Sequence, residues 1–283
     1  MSKMTARDAV MEIRRRLGDA GIETAEYESY LFLEWICGIS RMDYYLDQSK
    51  VIMEDQLREL FSMVDRRASH EPLQYLMGTA DFMGFTFHVD ERVLIPRQDT
   101  EVLVEMAVDR IQRQKNPKVL DLCCGSGCIG ISVAKLCPDA DVTLVDISAP
   151  ALEVSRQNAR DLEAHVKIIQ SDLFTEVPSR YDFILSNPPY IPTKVVEGLM
   201  PEVRDHEPHL ALDGEEDGLA FYRRIAGQAG EHLNKNGTII MEIGCDQGGD
   251  LTEILTGHGF SHVTVTKDLA GLDRVVSGRW DEW

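Results

Sequence analysis

Positive charge is scarce in this 283-residue chain: 29 Lys and Arg stand against 48 Asp and Glu, a formal net charge of −19. Sequence-independent binding to nucleic acid needs basic surface to displace phosphate counterions, so a direct nucleic-acid partner is not expected. Long apolar runs are missing too. No stretch approaches the roughly 18 uninterrupted apolar residues of a membrane span. The start, Met1-Ser2-Lys3-Met4-Thr5-Ala6, turns amphipathic rather than apolar, so no signal peptide is expected. The cysteines lack the spacing of a disulfide framework, since Cys123, Cys124, Cys128 and Cys137 crowd into one short stretch. C-x-x-C is absent and no second pair stands at zinc spacing, so no metal site is expected. These absences leave a cytoplasmic protein with free thiols and no membrane contact. Repeats and low-complexity tracts are also missing, and 43% hydrophobic with 27% charged residues is ordinary for a globular chain.

What is present falls into two patterns. Ala9, Val10, Ile13 and Leu17 recur at helical spacing until Gly18 and Gly21 break it. A second helix opens at Thr24, with Tyr30, Leu31, Leu33 and Trp35 as its apolar face, and ends near Gly38. A third runs from about Glu54 to Ala68 through Leu57, Leu60, Phe61 and Val64. Arg14-Arg15-Arg16 and Arg66-Arg67 read as solvated helix faces. After Glu71-Pro72 the pattern changes. The aromatic alternation from Gly84 to Val89, followed by Val93-Leu94-Ile95-Pro96, reads as a short hairpin. From about residue 98 helices and strands alternate. A helix is predicted over 99–113, and strands over 118–122, 141–146, 166–170, 181–186, 238–243, 262–267 and 274–280. Further helices are predicted over 127–136, 149–162, 218–233 and 247–257. This order implies a mostly parallel sheet covered on both faces, closed by an antiparallel pair. His206, Glu207 and His209, flanked by prolines, read as loop, and Gly214-Glu215-Glu216-Asp217 as a solvated turn.

The first predicted strand of that sheet ends in Asp121 and Leu122 and runs into Cys123-Cys124-Gly125-Ser126-Gly127. Strand, glycine turn and helix in succession suit a nucleotide, because glycine lets backbone and ligand approach closely. The complete G-x-G-x-x-G spacing is absent, and the turn alone is weak evidence. Asp146 ends the next strand, where an acid can accept from both ribose hydroxyls. Asp172 and Leu173 follow the third, placed to take an adenine amino group and cover the ring. Three acids suit a ligand carrying an ammonium and a sulfonium better than a pyrophosphate, which tilts the reading toward S-adenosylmethionine. Cys123 must avoid a positive φ or store strain.

The fourth strand runs into Asn187-Pro188-Pro189-Tyr190. Two prolines fix two φ angles and supply no N–H, so the backbone offers only acceptors. The Asn187 side-chain oxygen beside the Pro188 carbonyl makes two acceptors on a rigid corner, enough to hold both hydrogens of one –NH2 group. Tyr190 can pack over a planar target. An amide or aromatic amine nitrogen is a poor nucleophile, and acceptors on both N–H bonds orient it and stabilise the charge it develops.

These residues resemble the class I methyltransferases that modify planar nitrogens. Glu71-Pro72-Leu73-Gln74-Tyr75-Leu76-Met77-Gly78 and Leu94-Ile95-Pro96-Arg97-Gln98-Asp99-Thr100-Glu101 are similar to the linker signatures of the release factor glutamine methyltransferases, the HemK or PrmC family. Glu207-Pro208, Gly214 to Tyr222 and Met241-Glu242-Ile243-Gly244 fit as well. The resemblance implies a Rossmann-like sheet of seven strands behind an N-terminal helical bundle. It also implies N5-methylation of the glutamine in the Gly-Gly-Gln motif of peptide chain release factors, with S-adenosylmethionine as donor. The chain then divides into a helical substrate-recognition part (1–78), a hairpin linker (79–97) and a methyltransferase part (98–283), in a protein expected to be a monomer. Asp121, Cys123 to Gly127, Asp146, Asp172, Leu173 and Asn187 would contact the cofactor, and Asn187 to Tyr190 the glutamine. The sequence departs from the family at Cys123-Cys124 and at Gln98, where Pro is usual. A DNA adenine methyltransferase, a nucleotide-binding oxidoreductase and a catalytically inert adapter are the rival readings.

Overall fold

The computed structural model describes residues 4–281. The chain divides into two compact units between Met77 and Gly78. The first holds α1 (Ala6–Asp19), α2 (Ala25–Cys37), α3 (Arg41–Leu46), α4 (Glu54–Ala68) and α5 (Leu73–Met77). α1 begins with a capping box, in which the Thr5 hydroxyl accepts from Asp8 N–H and the Asp8 carboxylate accepts from Thr5 N–H. Ser40 and Asp43 repeat the device at α3, a helix too short to show a period in the sequence. Val10, Ile13, Leu17, Phe32, Leu33, Leu60 and Val64 form the centre of this core.

Two expectations fail here. The inward face of α2 is Tyr30, Phe32 and Leu33, while Trp35 is exposed. A 3.6-residue turn cannot carry both Leu33 and Trp35 to one side. Arg67 is not a solvated cation. It follows Leu60 and Val64 on the inner face of α4, is buried, and binds Glu28 through Nε (2.8 Å) and Nη2 (3.1 Å). A buried bidentate pair of this kind keeps each charge tolerable only while the other is present.

The second unit opens with a hairpin of β1 (Thr79–Phe82) and β2 (Phe85–His88), turning at Met83-Gly84. The segment Val93–Pro96 is not its second arm, as the alternation suggested. Val93 and Ile95 are buried, but Ile95 N–H donates to the Glu207 carboxylate rather than to a strand. Then come α6 (Glu101–Ile111), β3 (Lys118–Leu122), α7 (Cys128–Leu136), β4 (Asp141–Asp146), α8 (Ala149–Asp161), β5 (Val166–Gln170) and β6 (Tyr181–Ser186). They are followed by the short α9 (Thr193–Val196) and α10 (Pro201–His206), and by α11 (Ala220–His232) and β7 (Leu233–Glu242). α12 (Gly248–Gly257), β8 (Phe260–Lys267) and β9 (Asp273–Trp280) complete the unit. His206, read as loop, instead ends α10, a helix that tolerates Pro201 in its first turn because the missing N–H costs nothing there.

The seven strands lie in the order β5-β4-β3-β6-β7-β9-β8, and β9 alone runs against the others. Alternation along β3 sends Val119 into the core on the α6–α8 face, and Leu120 and Leu122 into the core on the α11–α12 face. β3 has β4 on one side and β6 on the other, so the chain leaves its carboxyl ends in opposite directions at that point. Ligands of open parallel sheets bind in the crevice this creates.

Candidate active site

One cavity opens at that crevice, and the loops after four successive strands line it: Cys123 to Ser126 with Cys128 and Ile129 after β3, Asp146 to Ser148 after β4, Ser171 to Leu173 after β5, and Asn187 and Pro189 after β6. The best-defined polar group is Asp146. Its Oδ2 accepts from Gly125 N–H and its Oδ1 from Ser148 N–H, each at 2.9 Å. Burial raises its pKa, and those backbone donors work against the rise by favouring the charged form. Each oxygen keeps a lone pair for a ligand. Gly125, at φ +53°, has open space where a side chain would stand.

The structure separates residues that the sequence grouped together. Asp121 is fully buried beneath the turn and off the cavity wall. Its Oδ2 accepts from Gly130 N–H at 2.8 Å and its Oδ1 has no hydrogen-bond partner. Desolvation pushes its carboxyl up to about 8. Gly127 also lies off the wall. A Cβ there would come within 2.8 Å of Ile131 and 3.2 Å of Leu144, so this glycine serves helix-on-sheet packing rather than ligand approach. Cys123 does adopt a positive φ, +58°. Burial raises the thiols of Cys123, Cys124 and Cys128, the last to about 12. Neutral thiols of this kind are poor nucleophiles and poor metal ligands. Asp172 reaches the cavity, but both of its oxygens are engaged by Arg224 Nη2 at 2.8 Å.

At the far side, the Asn187–Pro188 peptide is trans. Asn187 and Pro189 face the cavity, whereas Pro188 is buried and Tyr190 is turned away, its hydroxyl donating to Glu242 Oε1 at 3.4 Å. Asn187 Nδ2 donates to Thr100 Oγ1 at 3.4 Å. A close glycine and a side chain support the corner from the other side. A Cβ on Gly218, itself at φ +74°, would lie 2.3 Å from the Tyr190 carbonyl oxygen. That oxygen accepts from Gln247 Nε2 at 3.1 Å. So the 214–218 turn, expected to be merely solvated, exposes its acids and buries its end glycines against the corner.

Against this geometry the chain's relatives are informative. A PrmC N-terminal domain model matches residues 8–78 and a Methyltransferase small domain model matches residues 98–203. The chain is 41% identical to the release factor glutamine methyltransferase of Geobacter sulfurreducens, over 97% of this chain and 96% of that protein. With its counterpart from Agrobacterium fabrum it shares 39% identity over 94% of each. This chain belongs to the release factor glutamine methyltransferase family. A crystal structure of a methyltransferase from Pyrococcus furiosus shares the fold, with TM-score 0.53 at 15% identity over 81% of this chain and 98% of that one. The sheet-bearing unit is thus a class I methyltransferase domain, as the resemblance implied, and the protein is a methyltransferase.

In this family member several cavity residues lie outside the motifs singled out as ligand contacts. Arg92, Val93, Leu94, Pro96, Arg97 and Thr100 enter the wall from the segment after the hairpin. Arg97 pairs with Glu207, which is buried and also accepts from Ile95 N–H. Burial raises the Glu207 carboxyl and Arg97 opposes this most strongly. Leu94 to Glu101 and Glu207-Pro208 were visible as family signatures, but nothing in their spacing shows that an ion pair joins them. Phe221 and Arg224 come from the first turns of α11, where the sequence reads only as an amphipathic helix.

Proposed function

We propose that this enzyme transfers the methyl group of S-adenosylmethionine to the side-chain nitrogen, N5, of the glutamine in the Gly-Gly-Gln motif of peptide chain release factors. The observation that carries the reading is the shared cavity: a carboxylate with free lone pairs, Asp146, and Asn187 with Pro189 of the corner face one space. The cofactor's chemistry is a methyl group made electrophilic by its sulfonium. Asp146 suits its ribose hydroxyls, Leu173 and Phe221 its adenine ring, and the open side of Gly125 its methionine end. The Asp146 carboxylate gives this side of the cavity a negative potential that suits the cofactor's sulfonium and ammonium.

The chain's own residues act on the amide. Asn187 Oδ1 and the carbonyl after it accept the two N–H hydrogens, which fixes the plane of the amide and raises electron density on nitrogen. As the N–C bond forms and the S–C bond breaks, the charge growing on nitrogen strengthens both hydrogen bonds. This is stabilisation made in the transition state rather than the ground state. One N–H proton then leaves to solvent, giving the neutral secondary amide and S-adenosylhomocysteine. The helical unit, with Tyr27, Met42, Tyr45 and Leu46 exposed, suits contact with the release factor. A chain of net charge −19 is suited to a basic or apolar docking region.

The test uses purified protein, S-adenosylmethionine labelled in the methyl group, and a release factor. Label enters the wild-type factor and not its Gly-Gly-Gln variant carrying Gln→Ala. Equal labelling of both overturns the proposal.

A further inference from the structure

Asparagine is a costly residue for the buried face of a helix, because its amide needs partners that the helix itself does not supply. α8 carries one, Asn158, which is 1% exposed. Both ends of its amide are engaged, and with two different segments. Oδ1 accepts from His88 N–H at 2.7 Å. Nδ2 donates to the His88 carbonyl at 3.0 Å and to the Ser126 carbonyl at 2.9 Å. One N–H donor and two carbonyl acceptors leave the amide a single orientation. His88 ends β2 opposite Thr79, and the next residue, Val89, is the one that donates back to the Gly78 carbonyl, at 3.1 Å. Asn158 therefore satisfies the outer edge of the hairpin and, with the same amide, the turn after β3.

Both segments run into the cavity wall. Gly125 and Ser126 line it from the turn, and Arg92, Val93 and Leu94 line it a few residues beyond His88. Asp90 joins His88 to Arg92: its carboxylate accepts from Arg92 N–H at 3.1 Å and Nε at 2.8 Å, and lies 3.2 Å from His88 Nε2. Ser155, one turn earlier on α8, donates to the Gly125 carbonyl at 2.6 Å and holds the turn alone. Asn158, His88 and Val89 all lie off the cavity wall.

We propose that Asn158 is a positioning residue that couples the hairpin to the turn after β3, so that two parts of the cavity wall distant in sequence move as one piece. Binding of cofactor against the turn then steadies the hairpin as well, and loss of the coupling weakens binding. The ligand readout of this inference rests on the S-adenosylmethionine reading; exchange in the unliganded protein does not.

The experiment follows backbone amide exchange by NMR in the full chain. It reads Gly125, whose N–H is held by Asp146, and Val89, whose N–H is held by Gly78, relative to Ile240 in the inner strand β7, which reports global opening. Wild type is compared with Asn158→Leu, which keeps the bulk, Asn158→Ala, and Ser155→Ala. Without ligand, both amides exchange about tenfold or more faster in the Asn158 variants, the scale of one buried hydrogen bond, whereas Ser155→Ala quickens Gly125 alone. Saturating S-adenosylhomocysteine slows Gly125 in wild type and slows Val89 by about fivefold or more, the scale of energetic linkage between separate sites. In Asn158→Leu only Gly125 responds. Affinity for S-adenosylhomocysteine, read by calorimetry, falls about tenfold in the Asn158 variants. A Val89 amide that ignores the ligand in wild type, or that slows equally in Asn158→Leu, overturns the proposal, as does a Gly125 amide untouched by loss of Asn158. If wild type binds no S-adenosylhomocysteine, the cofactor reading falls and unliganded exchange at Gly125 decides the coupling on its own. If neither Asn158 variant folds, the response of Val89 to ligand in wild type decides it.

Discussion

The two ends of the cavity are built on different principles. After β3 and β4 the acids are held by backbone, Asp146 by the N–H groups of Gly125 and Ser148 and Asp121 by that of Gly130, while the Ser155 and Asn158 side chains add bonds to the Gly125 and Ser126 carbonyls. After β6 the corner has no N–H at either proline. It is held by single side chains, Thr100, Glu242 and Gln247, and by the close approach of Gly218. Backbone donors survive most substitutions, because every residue but proline supplies one. Side-chain contacts and a gap with no room for a Cβ do not. On the proposed reading, the corner that would hold the amide is thus the more fragile, and the acid-lined end suited to the cofactor the more redundant.

Substitutions can break this comparison. The largest effect is expected for Asn187→Ala: methyl transfer falls by roughly 10²-fold or more while S-adenosylhomocysteine affinity changes little, the scale of removing one preorganised polar contact. Unchanged turnover, measured under saturating donor, would refute the role of the corner. Next is Gly218→Ala, which combines a strained φ with a Cβ 2.3 Å from the Tyr190 carbonyl. It is expected to cost about 2 kcal/mol or more of stability and to slow transfer, read by denaturant unfolding alongside activity. A variant as stable and active as wild type would show that the corner does not lean on this turn.

A smaller effect is expected from pH. The Asp121 carboxyl is raised in the folded state to about 8. The favourable contribution of a group raised in this way is complete below its unfolded value near 4 and is lost as pH climbs through the folded one. Asp121→Asn, which cannot ionise, should therefore flatten the decline in unfolding free energy between pH 5 and pH 8. An identical slope in the two proteins would place the charge elsewhere. Smallest of all is Cys123→Gly. Relief of a positive φ is offset by the greater freedom of glycine in the unfolded chain, so a change within about 1 kcal/mol is expected. A loss well beyond that would mean the side chain packs against something the turn needs.

Much of this molecule can be read along the chain. The parallel strands announced themselves as short apolar runs between helical periods, and their bounds in the structure match closely at 118–122, 141–146, 166–170 and 181–186. β7 begins five residues before the expected 238, because Leu233 pairs with Tyr181 across a register shift that no period marks. Asn187-Pro188-Pro189-Tyr190 was legible because proline acts on its own backbone, with no need of a partner. Arg67 was misread because a cation on a helix reads as solvated until its burial against Glu28 is known.

The sequence by itself determined the sheet, the glycine turn and the proline corner, since periodicity, proline and glycine act locally. Tertiary structure alone decided which residues share a cavity. It put Asp146 on the wall and Asp121 beneath it, because in the register of the two strands Asp121 stands beside Leu144, two residues short of Asp146. It also joined Thr100 to Asn187 and Tyr190 to Glu242, pairs that lie far apart in the chain. Their hydrogen bonds depend on three-dimensional proximity, and no local rule encodes that.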